Sequence, residues 1–224
     1  MTERVSTVLF DLDDTLCTYR RSGAEVLDAA FTDVGVDPVF TADDYHRNYG
    51  DFVADSDSIE DLRESCFAYL AEQKGRDPDL GRAVARAFAA ERDHTNVDPL
   101  PGAVETVAHL AEDHRLGLVT NGAAGMQAQK LGAIGLADAF ETTVFAGYDT
   151  PAKPDPEPFH RALDALGESP AAAVHVGNSL TSDVPGAQAA GVKAAWLSDG
   201  TSDPVPEPDY TVASLDELTR YPWR

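Results

Sequence analysis

The chain has 224 residues, enough for one or two domains, and its 43% hydrophobic content supports a core without covalent or metal staples. Its 39 acidic against 17 basic residues give a formal charge of −22, spread along the chain, which argues against nucleic acid and anionic membrane as partners. Cys17 and Cys66 are the only cysteines, which excludes a disulfide framework or Cys-rich metal site and fits a reducing cytoplasm.

Arginine carries most of the positive charge, and lysine occurs only as Lys74, Lys130, Lys153 and Lys193. This balance resembles proteins of salt-loving organisms, since in molar salt the Debye length falls to about 3 Å and an acidic surface stops repelling itself. There is no apolar run of about eighteen residues. Met1-Thr2-Glu3-Arg4 leads into a strand pattern without a signal-peptide layout, so the expectation is a cytoplasmic protein.

A β-branched and aromatic run over 5–11 predicts a strand buried on both faces, ending in the carboxylates Asp11, Asp13 and Asp14. Carboxylates at the mouth of an apolar strand are costly unless a cation or strong donors hold them, which marks a candidate site. From 16 to about 100 the β pattern gives way to helical spacing. Val26, Leu27, Ala30, Phe31 and Val34, then Ile59, Leu62, Cys66, Tyr69 and Leu70, recur at intervals of three and four. Further helices are predicted over 42–53 and 80–90. Polar joints at 18–23 and 94–102 flank this segment, so the expected organisation is a core of 1–17 and 98–224 with a helical insert, 18–97.

Past the insert, strands over 115–120, 142–146, 172–177 and 193–197 alternate with helices over 103–113, 125–134, 156–166 and 184–190. A loop containing Pro204, Pro206 and Pro208 precedes a last strand, 209–212, and a helix, 214–220. The alternation predicts an α/β fold with a Rossmann-like parallel sheet flanked by helices. In such sheets ligands bind beyond the carboxyl ends of the strands. Those ends carry Asp11 and Asp13, then Thr120 and Asn121, then Lys153, then Asn178, Ser179 and Asp183.

Four motifs stand in order: Asp11-Leu12-Asp13-Asp14-Thr15, Val119-Thr120-Asn121-Gly122, Lys153-Pro154, and Val176-Gly177-Asn178-Ser179 through Asp183. Over essentially its whole length the chain thereby resembles the haloacid dehalogenase superfamily of phosphatases, and the insert is similar to the cap that lies between the family's first two motifs. The resemblance implies that Asp11 attacks phosphorus and forms an aspartyl-phosphate, while Asp13 protonates the leaving oxygen and then deprotonates water. It implies that Thr120 donates to a phosphoryl oxygen, that backbone N–H groups of Asn121 and Gly122 add donors for substrate, and that the Lys153 ammonium neutralises the transferring group. Mg²⁺ would be held by the Asp11 carboxylate and the Asp13 carbonyl, with Asn178 and Asp183 as further ligands. The family's common pattern has an acid where this chain has Asn178.

The expected function is a Mg²⁺-dependent phosphatase acting on a small phosphorylated metabolite. A 2-haloacid dehalogenase is an alternative, because those relatives carry a neutral residue in the fourth motif and need no metal; Asp13 argues against it. A phosphomutase and a non-catalytic phospho-ligand binder are further alternatives. Arg20, Arg21, His46, Arg47 and Tyr49 are candidate contacts for a second anion or a sugar, with ordinary polar surface the favoured reading of each. His175, inside an apolar strand, reads as a packed core residue.

Overall fold

The first strand, β1 (Thr7–Phe10), has all four side chains buried, as expected of a strand covered on both faces. The computed structural model describes residues 4–53, 56, 58–198, 200–201 and 203–223. Of the opening tetrapeptide, Met1, Thr2 and Glu3 lie outside that set. After β1 the chain forms β2 (Cys17–Tyr19), then four helices: α1 (Gly23–Val34), α2 (Ala42–Asn48), α3 (Ile59–Gln73) and α4 (Pro78–Glu91). It returns through β3 (Val97–Pro99), α5 (Ala103–Leu110), β4 (Arg115–Asn121), α6 (Ala124–Ala133) and β5 (Thr142–Ala146). It closes with α7 (Glu157–Leu166), β6 (Ala173–Gly177), α8 (Asp183–Ala189), β7 (Lys193–Leu197) and β8 (Tyr210–Val212).

Six of these strands form one parallel sheet in the order β5-β4-β1-β6-β7-β8. Counted along the sheet's own strands this is the order 3-2-1-4-5-6, whose crevice lies where the order reverses beside the first strand. In this chain that point is the carboxyl end of β1 against β6, where Phe10 faces Val176. The core on one side of the sheet is built from Leu9, Val119, Phe159, Leu163 and Trp196. Phe159 is fully buried, a contribution of about 2–3 kcal/mol by area, and its ring stands edge-on to His175 at 4.9 Å.

Two compact units result, Met1–Thr18 with Val97–Arg224, and Tyr19–Asn96. The helical unit closes on an aromatic cluster in which Phe40 meets Phe31 at 5.1 Å and Phe67 at 4.9 Å, and Phe67 meets Tyr45 at 5.0 Å, all edge-on as ring quadrupoles prefer. Its helices begin at Ser22, Thr41, Ser58 and Asp77, each accepting a backbone N–H, and the first two complete capping boxes with Glu25 and Asp44.

Three expectations need adjusting. The helix predicted over 42–53 stops at Asn48 and tightens into a 3₁₀ turn over Tyr49–Phe52, where Asn48 and Gly50 are poor helix formers. The joints at 18–23 and 94–102, read as polar connections, contain a two-stranded ribbon of β2 and β3, too short to leave a period in the sequence. The last helix, predicted over 214–220, is a 3₁₀ helix, Leu215–Arg220. Among the described residues no helix is long and apolar enough to cross a membrane.

Candidate active site

Asp11 follows β1 directly, and its N–H donates to the Val176 carbonyl at 2.9 Å, which pins it to β6. Beyond it the chain turns sharply, with the N–H groups of Thr15, Leu16 and Cys17 all reaching the Leu12 carbonyl. Asp14 takes a left-handed φ of 53° in this turn, a conformation aspartate tolerates better than most residues. The turn keeps Asp11 and Asp13 at the strand mouth instead of continuing the strand.

Lys153 arrives from the loop before α7. Its ammonium is buried and donates to Asp11 Oδ1 at 2.8 Å, to Asp183 Oδ1 at 2.6 Å and to the Val119 carbonyl at 2.8 Å. Asn121 braces this loop, accepting from the Lys153 N–H at 2.9 Å and donating to the Lys153 carbonyl at 3.2 Å. Asp155 Oδ1 accepts from the Glu157 N–H at 2.9 Å, just ahead of α7, whose N-cap is Pro156.

Asp183 is buried and accepts three hydrogen bonds: Oδ1 takes Lys153 and the His175 Nε2–H at 3.0 Å, and Oδ2 takes the Ser179 N–H at 3.0 Å. Gly177 makes this possible, because a Cβ there would lie 2.3 Å from Asp183 Cγ. His175 is packed in the core, as the strand pattern implied, and also supports Asp183.

The charges set one another. Burial pushes the Asp11 carboxyl up to about 7, with Lys153 pulling it down and Asp183 and Asp13 pushing with burial. Burial opposes ionisation of Asp183 too, but Lys153 and His175 outweigh it and hold that carboxyl well below the usual range. Burial also works against the Lys153 ammonium, yet Asp11 and Asp183 raise its pKa above the ordinary lysine value. The His175 pKa is lowered by burial, which keeps the ring neutral. Burial pushes the Cys17 thiol up to about 12, so its closeness in sequence to the site carries no reactivity.

Asp13 is held separately. Lys130 on α6 donates to its two oxygens at 2.6 and 2.9 Å, and Gln127 Nε2 reaches Oδ2 at 3.0 Å. The same Gln127 nitrogen lies 2.7 Å from the Thr120 hydroxyl, which is fully buried. Sequence reasoning passed over Gln127 and Lys130. The available signal was a glutamine and one of only four lysines on the apolar face that continues through Leu131 and Ile134. Gly122, expected to offer its N–H to an anion, instead donates it to the Ala146 carbonyl at 3.2 Å, because the chain keeps pairing alongside β5 one residue past β4. Arg21 and Arg47 are engaged with Glu91 at 2.9 Å and Asp44 at 2.6 Å.

The donor set suits a hard divalent cation of low protein coordination. Asp11 Oδ2 has no hydrogen bond among the described residues, and the Asn178 Oδ1, which accepts from Thr15 Oγ1 at 3.3 Å, retains a second lone pair. Asn178 also lines, with Asp14, Leu180 and Trp196, a cavity of about 560 Å³ in the same unit, so water has room beside it. A carboxylate that Lys153 alone leaves near neutrality is the group an added positive charge would ionise. Asp183 accepts from Lys153 and His175 on Oδ1 and from the Ser179 N–H on Oδ2, so Oδ2 retains a second lone pair.

A family model described as haloacid dehalogenase-like hydrolase matches residues 5–191. A phosphoserine phosphatase of Thermus thermophilus is 38% identical over 163 residues, covering 70% of this chain and 64% of that protein. A glyceraldehyde 3-phosphate phosphatase of Methanopyrus kandleri is 30% identical over 202 residues, 88% of this chain and 85% of that protein. Among solved structures, the putative HAD-hydrolase YfnB of Bacillus subtilis, bound to magnesium, superposes with a TM-score of 0.73 at 24% identity over 97% of this chain and 98% of that one. A 2-haloacid dehalogenase of Pseudomonas syringae gives 0.70 at 28% identity over 98% and 100%. With the matched region spanning all four motifs, the chain belongs to the haloacid dehalogenase-like hydrolase family.

Proposed function

We propose that the protein is a Mg²⁺-dependent phosphatase that hydrolyses a small phosphomonoester in the cytoplasm through an aspartyl-phosphate on Asp11. The observation that carries this reading is the buried Lys153 ammonium, 2.8 Å from Asp11 and 2.6 Å from Asp183 at the switch point of the sheet. A fixed cation beside a buried carboxylate is what an attack on an anionic phosphoryl group requires. The relatives named as phosphatases support the same substrate class.

In the first step an Asp11 oxygen forms a bond to phosphorus as the bond to the ester oxygen breaks, and Asp13 passes a proton to the departing oxygen. In the second, Asp13 takes a proton from water as that water attacks phosphorus, which frees Asp11 and inorganic phosphate. Lys153 keeps Asp11 aligned and lowers the cost of bringing negative charge to it. Asp183 and His175 hold Lys153 in place. A bound Mg²⁺ would be held by the Asp11 carboxylate, the Asp13 carbonyl and the Asn178 amide oxygen, and would supply charge neutralisation at the phosphoryl oxygens. Lacking the acid common at position 178, the site would bind the ion less tightly than one with a carboxylate there, and the lone pair left on Asp183 Oδ2 is its further candidate donor. The helical unit, Tyr19–Asn96, is assigned the role of the family's cap, which selects the substrate.

Phosphate release from p-nitrophenyl phosphate tests the reading. It should require Mg²⁺, stop with EDTA, and fall at least about 10³-fold in Asp11→Asn, as loss of a covalent nucleophile demands. Release that survives Asp11→Asn overturns it. Asn178 favours one other reading, a metal-free 2-haloacid dehalogenase, and halide release from a 2-haloacid in EDTA would establish that activity instead.

A further inference from the structure

We propose that Gln127 and Lys130, three residues apart on α6, are positioning residues that hold the Asp13 carboxylate and the Thr120 hydroxyl together as one unit. This rests on the reading of Asp13 as the proton carrier. The spacing puts both side chains on one helix face, and both are buried, Gln127 fully. Lys130 spans the two Asp13 oxygens at 2.6 and 2.9 Å. Gln127 Nε2 lies 3.0 Å from Asp13 Oδ2, 2.7 Å from Thr120 Oγ1 and 3.3 Å from the Asn121 carbonyl, so one amide nitrogen ties two motifs to each other. The backbone leaves room for it: Gly122 has φ 143°, and a Cβ there would sit 3.0 Å from that nitrogen.

The arrangement separates two neighbouring aspartates. Lys153 serves Asp11 and Lys130 serves Asp13, so the two carboxylates do not compete for one ammonium. An exposed ion pair would do little to fix a side chain, but here the lysine is buried and donates to both oxygens. A carboxylate that must meet a leaving oxygen gains from being held in one orientation, because misplacement of about 1 Å can cost about 10²-fold in rate. With its lone pair facing Gln127, the Thr120 hydroxyl is likewise turned to donate elsewhere. Neither Gln127 nor Lys130 is assigned any contact with substrate.

The test compares two esters in each protein: p-nitrophenyl phosphate, whose leaving group departs as an anion without help, and glycerol phosphate, whose alkoxide needs a proton. The quantity read is the ratio of kcat/KM for the alkyl ester to that for the aryl ester, which is independent of the folded fraction. Lys130→Met should lower this ratio by about tenfold or more, in the same direction as Asp13→Asn, as loss of an aimed proton donor does. Gln127→Leu should lower it as well. A ratio unchanged or raised in Lys130→Met overturns the inference. Wild-type protein that hydrolyses neither ester refutes the phosphatase reading itself, and the inference falls with it.

Discussion

Replacing Asp183 by Asn tests the charge network without touching the nucleophile. Asp183 is 1% exposed and accepts from Lys153 at 2.6 Å, His175 at 3.0 Å and the Ser179 N–H at 3.0 Å. The amide keeps one acceptor oxygen and turns an NH₂ toward either the Lys153 ammonium or the Ser179 N–H, setting donor against donor. Breaking a buried ion pair by removing one partner costs about 3–5 kcal/mol. Lys153 retains Asp11 and the Val119 carbonyl, so the lower figure applies. For a domain of this size a loss of about 3 kcal/mol lowers Tm by roughly 6–12 °C. Thermal unfolding at pH 7 measures it. The depressed Asp183 pKa also fixes the sign with pH: its stabilisation is complete above the ordinary carboxylate value and is lost as pH falls toward the folded value. The gap between wild type and Asp183→Asn should therefore narrow between about pH 5 and pH 3, as the unfolded carboxylate protonates. A Tm change under about 2 °C at pH 7, or a gap that holds constant across that range, refutes the reasoning.

Asn178→Asp should tighten Mg²⁺ binding by about tenfold or more, read by titration calorimetry, because it restores a charged oxygen to the proposed ligand set. With Asp11 pushed up to about 7, Mg²⁺ added at pH 6 should displace a proton, and calorimetry in buffers of different ionisation enthalpy should show that release fade by about pH 8.5. Gly177→Ala should unfold the protein or abolish soluble expression, since its Cβ would lie 2.3 Å from Asp183 Cγ and 2.5 Å from Oδ2. Raising KCl from about 0.1 M to 2 M should raise Tm, because screening relieves the repulsion of a formal −22 charge; a falling Tm would count against salt adaptation.

Periodicity and end residues decide much of this protein before any tertiary contact forms. The apolar run into Asp11 demands a doubly covered strand, and β1 is buried on both faces for that reason. The strand–helix alternation after 100 leaves a parallel sheet as the way to bury those runs, and the strands at 142–146 and 193–197 begin and end where their sequences do. Motif order likewise put Asp11, Asp13, Thr120, Lys153 and Asn178 at strand ends. What each side chain does there depends on distances that one strand's sequence cannot encode. That Asp183 meets a lysine is decided by packing 30 residues away, where its Oδ1 accepts from Lys153. The Gly122 N–H was expected to meet an anion, yet pairing with β5 claimed it. Lys130 carried no assignment in the sequence; the fold brings Asp13, 117 residues distant, onto its ammonium. Local patterning sets which elements form; only the closed sheet sets which donors meet which acceptors, because those partners lie on different strands and helices.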